Sequence, residues 1–278
     1  MERLTIPRLW EMKRQGEPIV MLTAYNVWQT RLVEAAGADM ILVGDSLGMV
    51  EHGYEGTVPV TLDMMILHCA AVMRSRKRTF VTGDMPFLAC EVSDPEAVRS
   101  AGTLLKESGV DSVKVEGGRR RAHTIAALTE AGIAVMGHIG LTPQSAVSLG
   151  GFRVQGKTTE QARRLLDDAR AVEDAGAFAV VLECVPAELA AIVTAQLSIP
   201  TIGIGAGLGC DGQVLVFHDV LGLYGDFKPK FARRYAEGGT ILTQGLESFV
   251  REVRQRAFPA PEHAFALDPR VREELEKP

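Results

Sequence analysis

Short, nearly all-apolar runs rich in β-branched residues recur along the chain: Pro18 to Asn26, Met40 to Asp45, Thr79 to Asp84, Asp111 to Gly117, Ala134 to Gly140, Ala177 to Val185, Pro200 to Gly207 and Gly212 to Leu221. Their length and their lack of polar alternation predict strands covered on both faces. Between most of them the apolar positions take helical spacing. Helix starts are marked at Thr61 before Leu62-Asp63-Met64, at Asp94-Pro95-Glu96, and by the capping box Thr158-Thr159-Glu160-Gln161.

Four of the helical stretches close with the same punctuation, Ala36-Gly37-Ala38, Ser108-Gly109-Val110, Ala131-Gly132-Ile133 and Ala175-Gly176-Ala177. Each glycine suits a left-handed residue just past a helix end. Consecutive β-α units with apolar strands imply a parallel sheet, and eight of them favour closure into a (β/α)8 TIM barrel. An open doubly wound sheet is the alternative. The stretch from Gly203 to Gly209 lacks the G-x-G-x-x-G spacing of a dinucleotide fingerprint and comes late in the chain. Its glycines either let backbone approach a ligand or form a tight turn.

The length of 278 residues falls where such barrels occur as one domain of roughly 250 residues. Residues 1–259 are read as a single barrel domain with a short N-terminal helix, and 260–278 as a charged, proline-bearing extension. A net charge of -5 and the absence of a dense Lys/Arg run leave no footprint for nucleic acid. The clusters Arg74 to Arg78 and Arg119 to Arg121 read as helix-end charges that partner the macrodipole or aid solubility. Cys69, Cys90, Cys184 and Cys210 are too widely spaced for a zinc knuckle or redox pair and read as reduced thiols. The polar N-terminus from Met1 to Pro7 is no signal peptide and no apolar stretch approaches a membrane span, so a cytoplasmic protein is expected.

In a barrel the catalytic groups sit at the C-terminal ends of the strands. There the chain has Gly44-Asp45-Ser46, Gly83-Asp84-Met85-Pro86, Lys114 with Glu116, Gly137-His138 and Leu182-Glu183-Cys184. Lys114 and Glu116 share one face of their strand while Val113 and Val115 share the other, so the charges face the barrel axis if the valines face helices. A structural Lys114–Glu116 ion pair carries equal weight. Asp45 and Asp84 are ordinary turn or cap residues taken singly, but their repetition at neighbouring strand ends offers hard oxygen ligands that suit Mg²⁺, with Glu116 completing the site directly or through water. His138 is either a satisfied core histidine or a substrate ligand beside Lys114. Glu183, partly desolvated after Val180-Val181-Leu182, suits a general base, or else is a helix-start acid near Pro186. His52, His68, His123, His218 and His263 read as structural or surface residues.

At these residues the chain resembles the ketopantoate hydroxymethyltransferase family, from about Thr5 to Pro259. The matching motifs are Thr23-Ala24-Tyr25, Gly44-Asp45-Ser46-Leu47-Gly48, Pro59-Val60-Thr61-Leu62-Asp63, Asp84-Met85-Pro86-Phe87, Lys114-Val115-Glu116-Gly117-Gly118, Gly137 to Gln144, Leu182-Glu183-Cys184-Val185-Pro186 and Gly203-Ile204-Gly205-Ala206-Gly207. The resemblance implies a barrel of the phosphoenolpyruvate/pyruvate type. It implies transfer of a hydroxymethyl group from 5,10-methylenetetrahydrofolate to 3-methyl-2-oxobutanoate through a Mg²⁺-stabilised enolate, giving 2-dehydropantoate in pantothenate and coenzyme A biosynthesis. By position, Asp45 and Asp84 would ligate Mg²⁺ with Glu116 in support. Asp45, Ser46, Asp84, Lys114 and His138 would bind the keto acid, Glu183 would accept the proton, and a homodecamer would be the assembly. The folate-binding side chains are not legible. Two positions depart from the family: Leu88-Ala89-Cys90 where Gly-Ser-Tyr is usual, and Gly238-Gly239 in a stretch usually continuous helix. Rival readings are a lyase or mutase of the same superfamily, with Cys90 as its acid, and a barrel kept only as a binding module.

Overall fold

The computed structural model describes residues 3–148, 150–223 and 229–277; Met1, Glu2, Leu149, residues 224–228 and Pro278 lie outside it, as do the outermost ends of the expected barrel domain and extension. Among the described residues eight parallel strands close into a barrel in chain order. They are β1 (Ile19–Thr23), β2 (Met40–Val43), β3 (Phe80–Asp84), β4 (Ser112–Glu116), β5 (Val135–Gly140), β6 (Ala179–Glu183), β7 (Thr201–Ile204) and β8 (Gly212–Leu215). β8 pairs with β1, Ile19 opposite Gly212, and this pairing excludes the open doubly wound alternative. The helices are α1 (Ile6–Gln15), α2 (Val27–Ala35), α3 (Leu47–Val50), α4 (Leu62–Ser75), α5 (Asp94–Ser108), α6 (Ala122–Glu130), α7 (Thr159–Asp174), α8 (Ala187–Gln196), α9 (Phe217–Leu221), α10 (Gly238–Arg254) and α11 (Pro269–Leu275).

Every expected strand is present, each shorter than its apolar run, and one needs correction. The run from Gly212 to Leu221 is a strand only to Leu215, and Phe217–Leu221 is a helical turn, α9. Phe217 and Leu221 are apolar because they pack under the barrel helices, which a run of apolar residues cannot distinguish from strand. The helix starts hold. Thr61 Oγ1 accepts from Met64 N at 3.2 Å, and the cap of α5 is Ser93, one residue ahead of Asp94, accepting from Glu96 N at 3.4 Å. The box at α7 is half formed: Thr158 Oγ1 accepts from Gln161 N at 3.3 Å, while Gln161 Oε1 accepts from Lys157 N rather than from Thr158 N. Gly37, Gly109, Gly132 and Gly176 all take positive φ, between 79° and 92°.

Strand alternation sorts the apolar residues into two cores. Ile41, Val43, Val81, Val113, Val115, Val135, Val180 and Leu182 face outward and pack against the helices. Met21, Met40, Leu42, Phe80, Met136, Phe178, Val181, Ile202 and Val214 form the second cluster, together with Leu9 and Met12 of α1. Helix α1 therefore stoppers the N-terminal end of the barrel. It is pinned there by Trp10 Nε1 donating to Phe178 O at 3.0 Å and by the Lys13 Nζ–Asp211 Oδ2 ion pair at 2.7 Å. Above this plug Thr82 and Ser112 hydrogen-bond at 2.8 Å, and above them the interior turns charged.

Helix α10 buries none of its residues and presents Ile241, Leu242, Leu246, Phe249, Val250 and Val253 to solvent. Gly238 and Gly239 open this helix and are not in its interior. A Cβ on Gly238 would lie 2.7 Å from Leu221 O, so at that position glycine allows α10 to start against α9. The late glycines after β7 serve packing as well: a Cβ on Gly207 would meet Ala187 Cβ at 2.5 Å and one on Gly209 would meet Ala191 Cβ at 2.7 Å, both on α8. Among the described residues no helix is long and apolar enough to cross a membrane.

Leu88, in the turn after β3, sits at φ 68°. Its Cβ makes this left-handed conformation costly, by roughly 1–2 kcal/mol, part of which glycine would return as unfolded-chain entropy. Leu88→Gly is expected to raise the unfolding free energy in urea by about 0.5–1 kcal/mol. A lower value would show that the half-exposed leucine side chain contributes more than the strain costs.

Candidate active site

The upper half of the barrel interior gathers the strand-end residues. Asp84, Lys114, Glu116 and His138 are all buried, as is Asp45 just beyond β2, and Glu183 is partly exposed at the end of β6. Register explains the meeting: Asp84 is opposite Lys114, Glu116 opposite His138, and Gly140 opposite Glu183.

Lys114 does not pair with Glu116 in the manner the sequence allowed. Its Nζ lies 2.9 Å from Asp84 Oδ1 and 3.1 Å from His138 Nδ1. Glu116 turns instead to His138, Oε1 to Nδ1 3.4 Å, and its Oε2 accepts from Gln144 N at 3.1 Å. The other imidazole nitrogen, His138 Nε2, is 3.1 Å from Glu183 Oε2. Asp45 N donates to Asp84 Oδ2 at 2.9 Å, and Asp45 Oδ2 accepts from Gln144 Nε2 at 2.8 Å. Ser46 Oγ shares a hydrogen bond of 2.9 Å with Tyr25 OH. All seven residues singled out in the sequence thus belong to one neighbourhood, linked in a continuous chain except for Ser46, which joins through its place beside Asp45.

Burial and crowding set the protonation of this cluster. Burial, then the charges of Asp84 and Glu116, pushes the Asp45 carboxyl up to about 8. Burial also raises Asp84, against the pull of the Lys114 ammonium and the Asp45 N–H. Burial opposes the charge on Lys114, but Asp84, Glu116 and Asp45 outweigh it and hold the ammonium protonated. For His138, burial and Lys114 disfavour the imidazolium while Glu116 and Glu183 favour it, and the group is pushed up to about 9. Glu116 resists burial through its contacts to His138, Lys114 and Gln144 N and is held below its usual range.

The donor set fits a hard cation. Asp84 Oδ1 and Glu116 Oε1 are buried with no aligned hydrogen-bond partner, as is His138 Nε2. Asp84 Oδ1 and Glu116 Oε1 meet positive charge only through Lys114 and His138, 2.9 and 3.4 Å away, and so keep acceptor capacity that a cation or ordered water would fill. Among the described residues no three His, Cys, Asp or Glu side chains form a ready-made cage. Mg²⁺ is held typically by one or two carboxylates, with waters and substrate oxygens filling its octahedron, so the Asp45/Asp84 pair is a sufficient protein contribution.

Three features were not singled out in the sequence. Gln144, on the turn after β5, donates to Asp45 and also to Met85 O at 2.9 Å; it lies inside a quoted motif, beside Pro143, but nothing in its spacing marks which strand ends it reaches. Tyr25 ends the β1 motif and supports Ser46. His218 takes the structural of its two readings: it is buried, its Nε2 3.4 Å from Glu51 Oε1, a partner the sequence did not indicate. The arginine cluster 119–121 also needs correction: it forms a 3₁₀ turn at the N-terminal side of α6, the wrong end for a cation to gain from the macrodipole. Arg120 and Arg121 instead line a cavity of about 480 Å³, with Phe87, Arg164, Glu116 and Gln144, that opens beside the acids.

Residues 3–261 match the profile of the family described as Ketopantoate hydroxymethyltransferase. The chain belongs to that family. It is 56% identical over 267 residues to the 3-methyl-2-oxobutanoate hydroxymethyltransferase of Heliobacterium modesticaldum, covering 96% of this chain and 97% of the relative. It is 52% identical over 275 residues to the protein of the same name from Carboxydothermus hydrogenoformans, covering 99% and 100%. Among solved structures it resembles phosphoenolpyruvate phosphomutase from Streptomyces platensis subsp. rosaceus, with a TM-score of 0.63, 15% identity and coverage of 98% and 97%. It also resembles phosphonopyruvate hydrolase in complex with oxalate and Mg²⁺, with a TM-score of 0.59, 13% identity and coverage of 97% and 94%. At those identities the structures speak for the barrel alone. Family membership makes the chain an enzyme, a hydroxymethyltransferase, and sets aside the binding-module reading. It also weakens the lyase reading, as does Cys90, which is packed in the outer core with its thiol pushed up to about 12 by burial.

The raised Asp45 gives a pH test in the presence of EDTA. Its folded carboxyl keeps a proton that the unfolded chain releases near pH 4, so the folded state binds more protons between that pH and about 8, and stability falls as pH rises through the window. Thermal melts should show the wild type losing more Tm than Asp45→Asn between about pH 5 and about pH 8. Parallel curves would contradict the shift.

Proposed function

We propose that this protein transfers a hydroxymethyl group from 5,10-methylenetetrahydrofolate to 3-methyl-2-oxobutanoate, giving 2-dehydropantoate. The observation that supports the chemistry is the chain of contacts from Asp45 and Asp84 through Lys114 and His138 to Glu183, with a carboxylate pair suited to a cation on one side and a candidate base on the other. The names of the relatives and the family supply the substrate.

In this reading Asp45 and Asp84 hold Mg²⁺, with Glu116 contributing directly or through water. When bound, Mg²⁺ supplies Lewis-acid polarisation of the keto acid's carbonyl. Asp45, Ser46, Asp84 and Lys114 orient the keto acid, and His138 lines the same pocket. Glu183 takes the proton from C3, and the electrons of that C–H bond move to form the enolate. The Lys114 ammonium and His138 stand ready to stabilise the oxyanion. C3 and a water oxygen both bond to the methylene carbon as its two C–N bonds to the folate break; one water hydrogen stays on the new hydroxyl, and the other, with the proton taken from C3, goes to the two folate nitrogens. Glu183 suits the acceptor's part because it alone of the four acids is partly exposed, at the mouth, while its link to His138 fixes its direction. A place in pantothenate and coenzyme A biosynthesis follows from that product, and a cytoplasmic enzyme is the reading that goes with it.

Residues 1–259 form the catalytic unit in this proposal and 260–278 an extension. A homo-oligomer, with a decamer as the family expectation, is supported by the uncovered apolar face of α10, which a second copy would shield. Sedimentation velocity reads the assembly directly.

The test of the chemistry needs no folate. Mg²⁺-dependent exchange of the C3 hydrogen of 3-methyl-2-oxobutanoate with deuterium should be slowed by about 10²–10⁴-fold in Glu183→Gln, the usual contribution of a general base. Undiminished exchange in that variant would remove Glu183 from the role of base.

A further inference from the structure

Gln144 ties three strand ends together. It stands on the 3₁₀ turn that follows β5, immediately after Pro143. Its backbone N donates to Glu116 Oε2 at 3.1 Å, at the end of β4. Its side-chain Nε2 donates to Asp45 Oδ2 at 2.8 Å, beyond β2, and to Met85 O at 2.9 Å, beyond β3. A primary carboxamide has two N–H groups, and both are engaged.

From this geometry we infer that Gln144 is the positioning residue of the Asp45 carboxylate: its amide nitrogen, anchored by one N–H on the Met85 carbonyl, holds Oδ2 with the other and so presents Asp45 to a divalent cation in one orientation. The inference rests on the proposed Mg²⁺ site and adds a residue to it. Asp45 has no ammonium of its own to fix it, since Lys114 is committed to Asp84 and His138. A carboxamide meets the need because it donates twice without bringing charge. A lysine or arginine in its place would neutralise Asp45 and compete with the cation, and a glutamate would add repulsion to a cluster already rich in carboxylates. Carboxylate ligands of metals are commonly oriented by such outer hydrogen bonds, whose loss lowers affinity by about 10–100-fold.

The position of Gln144 adds a second consequence. It lines the 480 Å³ cavity on one side and touches Asp45 on the other, so the same side chain separates that cavity from the cation-binding pair.

The experiment is calorimetric titration of the full-length protein with MgCl₂, using wild type, Gln144→Met and Asp45→Ala. Gln144→Met keeps the length of the side chain and the backbone bond to Glu116, and removes only the two donated hydrogen bonds. The expected result is a Kd for Mg²⁺ raised by about 10–100-fold in Gln144→Met and no detectable uptake in Asp45→Ala. In C3 exchange assays the same variant should show a raised Mg²⁺ requirement that added Mg²⁺ repairs, a pattern that general loss of structure would not give. Should Gln144→Met prove poorly folded in EDTA melts, Gln144→Ala, which retains the same backbone, carries the same expectation. Wild-type affinity in the folded variant, with binding still lost in Asp45→Ala, would overturn the inference and leave the cation site standing. Wild-type protein that takes up no Mg²⁺ would overturn the cation site, and the inference with it.

Discussion

A single lysine ammonium inside the barrel, 2.9 Å from Asp84 and 3.1 Å from His138, is the contact around which the site is arranged. Three buried acids and one partly exposed one surround it, and the interior below is sealed by methionine, phenylalanine and valine. Charges in such a place are costly unless paired, so each side chain's orientation is set by the partner that compensates it. Asp84 faces Lys114, Glu116 and Glu183 face His138, and Asp45 faces Gln144. The compensation is incomplete. Asp84 Oδ1 and Glu116 Oε1 keep unmet acceptor capacity, and Asp45 holds a proton well above the usual carboxylate range.

The apolar lower half and the charged upper half are two consequences of one alternation. Phe80 and Asp84 lie on the same face of β3, as Ser112, Lys114 and Glu116 do on β4 and Ala179, Val181 and Glu183 on β6. Moving up a strand by two residues keeps a side chain in the interior and raises it from plug to site. This made the candidate residues legible: a polar residue interrupting an apolar run at an inward position must be compensated inside the barrel. Partner choice was not legible, because register between strands is a tertiary fact. Lys114 and Glu116 are adjacent on one face, yet the strand offset brings Asp84 and His138 nearer to them than they are to a mutual ion pair. Gln144 was hidden for the same reason, since its three partners come from three other segments. Phe217–Leu221 read as strand because apolar content alone does not separate a buried helical turn from a buried strand.

Of the three non-glycine residues at positive φ among the described residues, two follow a site acid within a few residues, and the third, Arg256, follows α10. Leu88 after Asp84 and Cys184 after Glu183 are both non-glycine residues at positive φ, 68° and 49°. At Cys184 the curl is locked by backbone bonds, N donating to Ile204 O and O accepting from Gln155 N, each 2.9 Å, so that Glu183 is the last residue held in register before the chain turns away. Such conformations persist where surrounding structure over-determines them, and they are common where a side chain must be aimed. Stability is given up at these two turns while the outer core between strands and helices supplies it.

The central claim is that one divalent cation joins Asp45, just beyond β2, and Asp84, at the end of β3, to a keto acid facing Glu183. A crystal structure with Mg²⁺ and 3-methyl-2-oxobutanoate bound tests it most directly. The account predicts the cation on the carboxylates of Asp45 and Asp84, coordinated also by the keto and carboxylate oxygens of the ligand, with C3 turned toward Glu183. Density for the keto acid in the arginine-lined cavity instead, with the Asp45–Gln144 hydrogen bond and the Asp84–Lys114 pair unchanged and no cation between them, would contradict it.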